Sequence, residues 1–505
     1  MNQKINYNEE FCGRVPLNQT NMIQPHGVLL VVDRKSFKIV QASENTEELL
    51  GFGANKLINS SLSDYISSSE LARIKELPDQ VNGKLPLTIT LASGRFLSSV
   101  LSHELYYILE IEKRELSNSN EESFISVYQD LKYVMSAVET AGTLKETCEI
   151  VIHELKKISG FDKIMIYRFD EAWNGDVIAE RMEEGMDNYL GLKFPASDIP
   201  KQARELYKKA PYRLIPNADY EPVRLYPVIN PVTNAFTDLS DSSIRSVAGV
   251  HLEYLKNMGV IASMSTRILV NGQLWGLIAC HHRKAKYLSF EICSMFEILS
   301  NVISAKITSV LANDQFAYKT EMQSVYSSLV ESIFKDEDLA STLNRYNNDL
   351  QTLLGADGVA IILNGHIEVY GTAPDRVEVE ELVLWLQTRS THGLFHHSNL
   401  VSAFEPAGVY ADVASGLLVL PIQPDRGHFI IAFRPEAVQK VDWGGNPNQA
   451  ITFEADGKKY HPRNSFKLWQ QTVHQTAIPW NKEELEVAEQ FRHFVVEYTL
   501  NKVYN

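Results

Sequence analysis

Cysteine is scarce in this chain, and what there is does not pair. Cys12, Cys148, Cys280 and Cys293 show no C-x-x-C spacing, which excludes a disulfide framework and agrees with a reducing compartment. Cys148 and Cys293 fall on apolar helical faces, where a thiol packs as a small hydrophobe. Cys12 falls in a tail ahead of any regular element. Long apolar runs are missing too. GVLLVV at Gly27–Val32 is among the longest, far short of the ~20 residues of a membrane span. The opening MNQKINYNEE has no signal-peptide apolar region, so a cytoplasmic protein with no membrane partner is expected. Positive charge is in deficit: 48 Lys and Arg against 63 Asp and Glu leave a net charge of −15. That disfavours nucleic acid and anionic lipid as partners. No catalytic constellation is visible, so the chain by itself is not expected to be an enzyme.

What is present suffices for several cores. With 505 residues, 44% of them hydrophobic and 22% charged, there is room for three domains of about 100 to 200 residues each. From Gly27 to about Lys113, short strands (GVLLVVD, FKIVQAS, PLTITLAS, YYILEIE) broken by helical pieces such as ENTEELLG predict an α+β module. A polar interval at Ser117–Glu122 marks a boundary before a helix from about Ser123. Leu144, Cys148, Val151, Leu155 and Ile158 keep a helical period, with Thr143 and Glu146 as a capping box and Gly160 as the stop. DKIMIYRFD and GDVIAERM read as strands, and MSTRILVNGQLWGLIACHH as a hairpin turning at Asn271-Gly272. Helices packed on this sheet are expected to enclose a cavity.

Between Phe290 and Leu354 there is neither glycine nor proline, and the apolar period of the first half predicts a helix of ~40 residues, ~60 Å long. Such an element bridges two domains and can pair with its copy in a second subunit. Beyond it, GVAIILN, GLLVLPI and HFIIAFRPE read as strands. Ala437 to about Gln470 carries VDWGGNP and HPRNSF without a core-forming period, and reads as a hairpin arm that leaves its own domain. Asn481 and Glu484 open a last helix that runs to the end of the sequence, as in an input module cut from a longer protein.

The stretch with the fewest backbone options is GLKFPASDIP, Gly191–Pro200. Pro195 and Pro200 fix φ on either side of Asp198, and KQARELYKKA reads as a helix starting at once. Taken alone, Ser197 or Asp198 is an N-cap. Further along stand Arg245 six residues before His251, then YLKNMGV, SMS at Ser263–Ser265 and ACHH ending at His282. In order and spacing these motifs resemble the bacteriophytochromes, and the resemblance runs from Cys12 to HPRNSF.

That resemblance implies an α+β photosensory core of three domains, PAS-GAF-PHY, with long connecting helices. The limits it gives are a tail at 1–26, PAS at 27–116, GAF at 123–310, and PHY at 311–505 with a tongue at about 435–475. A figure-of-eight knot would thread the tail through a GAF loop drawn from Glu221–Asp241. The implied function is a red/far-red photoreceptor in which light isomerises a bilin double bond beside ring D. Plant-type relatives attach the bilin at a cysteine just before the histidine matching His251; here Val250 stands there. Attachment then falls to Cys12, implying biliverdin IXα held by a thioether.

In the implied pocket Arg213 and Arg245 clamp a propionate, and Ser263, Ser265 and Tyr207 offer hydroxyls to the second. The Asp198 carbonyl and His251 face the pyrrole nitrogens, with Ile199 and Pro200 beside them. Tyr167, Phe194, Tyr254 and Met258 wall the rings, and His281 bonds the ring D carbonyl. From the tongue, Trp443, Arg463 and Ser465 are contacts, Arg463 forming a bidentate pair with Asp198 that Ser465 replaces when the tongue turns partly helical. Ala248, where relatives often carry Ser or Thr, removes one hydrogen bond of about 1 kcal/mol. The parent protein is expected to be a sensor histidine kinase of a two-component system, with a response regulator as partner and a homodimer formed through the long helices. The rival reading is a haem- or metal-binding ligand sensor using Cys280, His281, His282 and His251. Adjacent His281 and His282 on a strand point to opposite faces, which weighs against it.

Overall fold

The computed structural model describes residues 17–77, 84–115, 120–336, 338–389, 393–447, 451–453 and 460–504. Two compact units emerge, Met1–Val310 with Asp442–Trp469, and Leu311–Val441 with Gln470–Asn505.

The first unit opens on a seven-stranded sheet built from β1 (Met22–Ile23), β2 (Gly27–Asp33), β3 (Ile39–Ser43), β4 (Lys84–Leu91), β5 (Gly94–Ser102) and β6 (Tyr106–Glu115). GVLLVVD is buried almost throughout because both faces of β2 are covered. Val28, Leu30 and Val32 join one core, Leu29 and Val31 another. β5 is not expected from the sequence, since the serines of GRFLSSVLS blur its alternation. The seventh strand, β11 (Val223–Tyr226), comes from the loop at Glu221–Asp241 and pairs with β3 (Leu225↔Ser43) and β1 (Ile23↔Val223). The loop's other limb holds the same segment, Leu239 donating to the Asn18 carbonyl at 3.0 Å and Gln24 to that of Ile244 at 2.7 Å. Cys12 and the expected threading of the tail lie outside the described residues.

After α1 (Asn120–Thr140) comes α2 (Leu144–Ser159), with the predicted capping box of Thr143 and Glu146, and Gly160 at φ 60° ending it. Its buried face includes Cys148, Val151 and Leu155. A second sheet follows, built on β7 (Lys163–Phe169), β8 (Gly175–Met182), β9 (Lys193–Phe194), β10 (Tyr212–Ile215), β12 (Ala262–Val270) and β13 (Gln273–His282). Asn271 and Gly272, both at positive φ, make the two-residue turn between β12 and β13. Two helices, α3 (Lys201–Lys209) and α4 (Gly249–Asn257), complete this part of the unit.

The long helix, α5, is Phe290–Asp336, 47 residues and so about 70 Å. By length and mean hydropathy, 1.3 over its most apolar window, it is apolar enough to cross a membrane, which a search for uninterrupted apolar runs does not register. Its apolar positions serve two cores instead. Phe296, Leu299, Ile303 and Ile307 are buried in its first half, Leu329 and Ile333 in its second.

In the second unit a five-stranded sheet runs in the order β15 (His366–Gly371), β14 (Gly358–Leu363), β18 (His428–Arg434), β17 (Gly416–Gln423), β16 (Phe395–His397). α6 (Arg376–Thr388) lies over the core on one face, and α7 (Lys482–Tyr504) over that on the other. α7 starts at the predicted Asn481–Glu484 box. The arm contains β19 (Gln439–Gly444), β20 (Ile451–Phe453), β21 (Tyr460–Pro462) and β22 (Leu468–Val473). Its Asp442–Trp469 portion belongs to the first unit, where Trp443 pairs in parallel with Lys193 of β9.

Candidate functional site

At the Asp198 corner the chain makes a single 3-10 turn, Ala196–Asp198, between Pro195 and Pro200. α3 starts at Lys201 with Pro200 as its N-cap residue and no side-chain cap, so the N-cap reading of Ser197 or Asp198 does not hold. Ile199, at φ −127° and ψ 83°, separates Asp198 from the helix start. Oδ2 accepts instead from the Tyr254 hydroxyl at 2.8 Å and from Arg463 Nη2. Burial raises the carboxyl above its ordinary range, against the opposing pull of Arg463 and Tyr254.

Beside this corner opens a cavity of about 270 Å³. Each element contributes by its own periodicity. β7 supplies Tyr167, the corner Phe194, Asp198, Ile199 and Pro200, and α3 supplies Tyr207. β10 adds Arg213, the approach to α4 adds Arg245, and α4 with the turn after it adds His251, Tyr254 and Met258. Ser263 and Ser265 of β12 and His281 of β13 close the far wall, Ser263 lying opposite His281 in the ladder. Ala248 and Val250 border the cavity too, as do Met165, Tyr212, Leu277 and Pro462, which the sequence reasoning did not select. Met165 and Leu277 were within reach of period-2 alternation, being two and four residues from Tyr167 and His281 on their strands.

The two arginines of the cavity are not met by its carboxylate, Asp198, which pairs with Arg463 instead. Arg213 donates to the carbonyls of Ser243 and Arg245, and Arg245 donates at 2.9 Å to those of Leu239 and Ser240. Among the described residues neither forms a salt bridge. Burial, then the neighbouring Arg213, pulls Arg245 down to about 9, and burial also lowers Arg213. Two guanidiniums lowered this way favour an anionic guest. Burial likewise holds His251 at about 4, with Arg213 adding to the effect. His281 is held at about 3 by burial, then Lys163 and His251. Both imidazoles are therefore neutral at physiological pH. His281 Nδ1 and the Tyr167 hydroxyl are buried without a hydrogen-bond partner. His282 lies on the opposite strand face, its Nδ1 3.1 Å from Asp162, and Cys280 shares that face. The ligands of the metal reading are thus split, and no group of three His, Cys, Asp or Glu able to hold a metal occurs among the described residues.

From the arm, Arg463 is 4% exposed and reaches Asp198. The contact is single rather than bidentate: Nη2 alone donates, while Nε and Nη1 are buried and unpartnered. Its guanidinium lies 4.8 Å from the Phe466 ring centre and 5.2 Å from that of Phe194, and Asn257 donates to its carbonyl at 3.2 Å. Trp443 is half-buried and holds the arm through its backbone pairing with Lys193. The following glycine is required by close approach, since a Cβ on Gly444 would stand 2.7 Å from the Phe194 ring. Ser465 is exposed, its carbonyl against Gly445 at φ 102°. The arm residue missed from sequence is Phe466, buried in the Tyr167–Phe194 core and edge-on to Tyr254 at 5.0 Å. Its signal in the sequence was an aromatic closing the HPRNSF motif.

Comparison with known proteins covers all three regions. Family models described as PAS fold, GAF domain and Phytochrome region match residues 12–114, 143–307 and 322–503. Cyanobacterial phytochrome B of a Nostoc species is 37% identical over 496 residues, covering 97% of this chain and 66% of that protein. A bacteriophytochrome of Xanthomonas campestris pv. campestris is 31% identical, covering 96% of this chain and 77% of its own length. Among solved structures, the Stigmatella aurantiaca phytochrome photosensory core module aligns with TM-score 0.82 and 35% identity, covering 97% of this chain and 98% of that one. A bacteriophytochrome from the photosynthetic bacterium R. palustris aligns with TM-score 0.83 and 32% identity, covering 97% and 99%. The chain spans about two thirds of the length of the first curated relatives it matches.

Proposed function

The chain belongs to the phytochromes, as a PAS-GAF-PHY module of the bacteriophytochrome kind, and on that premise we propose that it is a red/far-red photoreceptor holding biliverdin in the 270 Å³ cavity. The observation that carries the reading is the pair of guanidiniums, Arg213 and Arg245, lining one largely apolar cavity and forming no salt bridge among the described residues. A ligand with two propionates supplies that charge. When bound, it also supplies the conjugated system that absorbs red light and the double bond that isomerises.

The chain's own residues fit the remaining parts of such a ligand. Ser263, Ser265 and Tyr207 offer hydroxyls to the second carboxylate, Tyr207 being hydrogen-bonded to Ser265. His251 and the Asp198 corner would offer acceptors to pyrrole N–H groups, with Ile199, Pro200, Tyr167, Phe194, Tyr254 and Met258 as walls. His281, neutral and with Nδ1 sealed, keeps one ring nitrogen for a ligand carbonyl. Arg463 closes the mouth over Asp198 and, with Trp443 and Ser465, carries the change outward. Cys12 is the attachment thiol in this reading, because Val250 occupies the position beside His251. For the parent protein we propose a homodimer formed through α5 and α7, with a sensor histidine kinase output acting on a response regulator.

The test is to mix the chain and its Cys12→Ala variant with biliverdin and illuminate both with red light. Both should develop a red band that converts to far-red absorption. On a denaturing gel with zinc, bilin fluorescence should mark the wild type alone. Absence of a red-absorbing adduct in either protein overturns the proposal, and a fluorescent band in Cys12→Ala moves the attachment elsewhere.

A further inference from the structure

The sheet that lines the cavity contains a buried lysine that none of the pocket chemistry above uses. Lys163 is 1% exposed and among the largest fully buried side chains. On β7 it shares a face with Met165 and Tyr167, which border the cavity, and in the ladder it lies directly opposite His281. Cross-strand partners in an antiparallel pair project to the same face, so cation and imidazole stand side by side. The ammonium is fixed on three sides: Glu180 Oε1 at 2.7 Å, the Asp187 carbonyl at 2.6 Å, and the Tyr189 ring centre at 3.4 Å. Glu180 is fixed in turn, its Oε2 accepting from the backbone of Tyr189 at 2.9 Å and Leu190 at 3.1 Å.

A lysine this deep, tied to one carboxylate, is costly to keep, and a leucine or methionine would fill the strand position more simply. What it adds is a fixed positive charge beside an imidazole whose Nδ1 is sealed without a partner. We propose that Lys163, held by Glu180 and the Asp187 carbonyl, is a positioning residue that keeps His281 uncharged, so that its cavity-facing nitrogen meets a ligand carbonyl as a neutral donor. The groups bearing on His281 are Lys163 from β7 and His251 from α4, both opposing a proton on it, while Glu180 and Asp187 act on Lys163 itself. His282 and Asp162 are paired on the other strand face.

The inference rests on the bilin reading only for what His281 meets, and the experiment separates the two. The His281 resonance, assigned by its loss in His281→Gln, is titrated in the pigment-free chain carrying labelled histidine. Lys163→Met with Glu180→Gln removes cation and anion together and should raise the His281 midpoint by about one pH unit. Lys163→Arg should restore wild-type behaviour, which a packing role alone does not require. Should the double variant fail to fold, Lys163→Gln, which keeps a donor for Glu180 and the Asp187 carbonyl, must still raise the midpoint, because it removes the charge opposite His281. An unchanged midpoint in a folded variant overturns the proposal. The absorption band of the biliverdin-loaded double variant should become acid-sensitive at higher pH than that of the wild type. A moved midpoint with an unmoved band would keep the Lys163–His281 coupling and remove His281 from the bilin.

Discussion

Two of the sheets in this molecule, the five-stranded one of the second unit and the one built on β12 and β13, both have helices laid against them, yet one is filled and the other hollow. In the second unit β14, β17 and β18 are buried along nearly their whole length. Their alternate residues feed two aliphatic and aromatic cores, Leu418, Leu420 and Ile430 on one face, Val419, Phe429 and Ile431 on the other. In the first unit β12 and β13 bury Met264, Thr266, Ile268 and Ile278 on one face, while the other presents Ser263, Ser265, Ala279 and His281 to a cavity. The buried arginines differ in the same way. Arg434 spends its donors on the carbonyls of Gly355, Ile478 and Pro479 and on Glu484, whereas Arg463 leaves Nε and Nη1 unmet. A core finished by its own side chains leaves few polar atoms over. One that leaves small residues and orphaned donors is finished by a guest.

The largest test of that contrast is to remove volume from each. Ile430→Ala, at a fully buried position, should lower the opening free energy of amides in β14, β17 and β18 by about 2–5 kcal/mol. Met258→Ala, bordering the cavity, should cost the first unit clearly less in the pigment-free chain, because the lost atoms enlarge a void rather than create one. Native-state hydrogen exchange reads each sheet separately. Equal losses would break the contrast.

Filling the hollow is the next test. With Cys12→Ala to keep binding reversible, biliverdin at a hundred times its Kd should stabilise the folded first unit by about 2.7 kcal/mol. Amides of β12 and β13 should gain that protection while those of β14, β17 and β18 stay unchanged. A rise shared by both sheets would mean that the ligand does not act through the cavity.

The contrast also explains what could be read in advance. The filled sheet was legible because GVAIILN, GLLVLPI and HFIIAFRPE are continuous apolar runs with Gly427 at their turn, and burial on both faces writes such runs directly. The capping boxes at Thr143 and Asn481 and the Asn271-Gly272 turn were legible because each is a local pairing. At the cavity, Arg213, His251 and His281 came from motif resemblance; no local rule makes a lone histidine on a strand a pocket residue. Phe466 and Lys163 escaped because their roles are set across the sequence, one by packing on Tyr254, the other by standing opposite His281. For the same reason local rules alone make Asp198 an N-cap, whereas the resemblance pointed to its partner in the arm, Arg463; Tyr254 was not foreseen as a partner.

The smallest effect expected is also the one that asks which force wins at the hollow unit's mouth. Asp198 has Arg463 against it, which favours the carboxylate, and lies in deep burial, which favours the neutral acid. With burial the larger cause, its folded value is raised above its unfolded one. The stability it contributes is then full below the ordinary carboxylate range, near pH 4, and is lost as pH rises through the folded value. Asp198→Asn has no such titration. The wild type should therefore lose stability relative to Asp198→Asn as pH rises above about 4, read as the difference between the two in urea midpoint or in exchange of the amides around Arg463. Arg463→Ala removes the cation that opposes burial, so it should carry that loss to higher pH. The opposite slope, with the wild type gaining on Asp198→Asn as pH rises, would show that the single Arg463 contact outweighs burial. The mouth would then be held by charge as firmly as Arg434 holds Glu484.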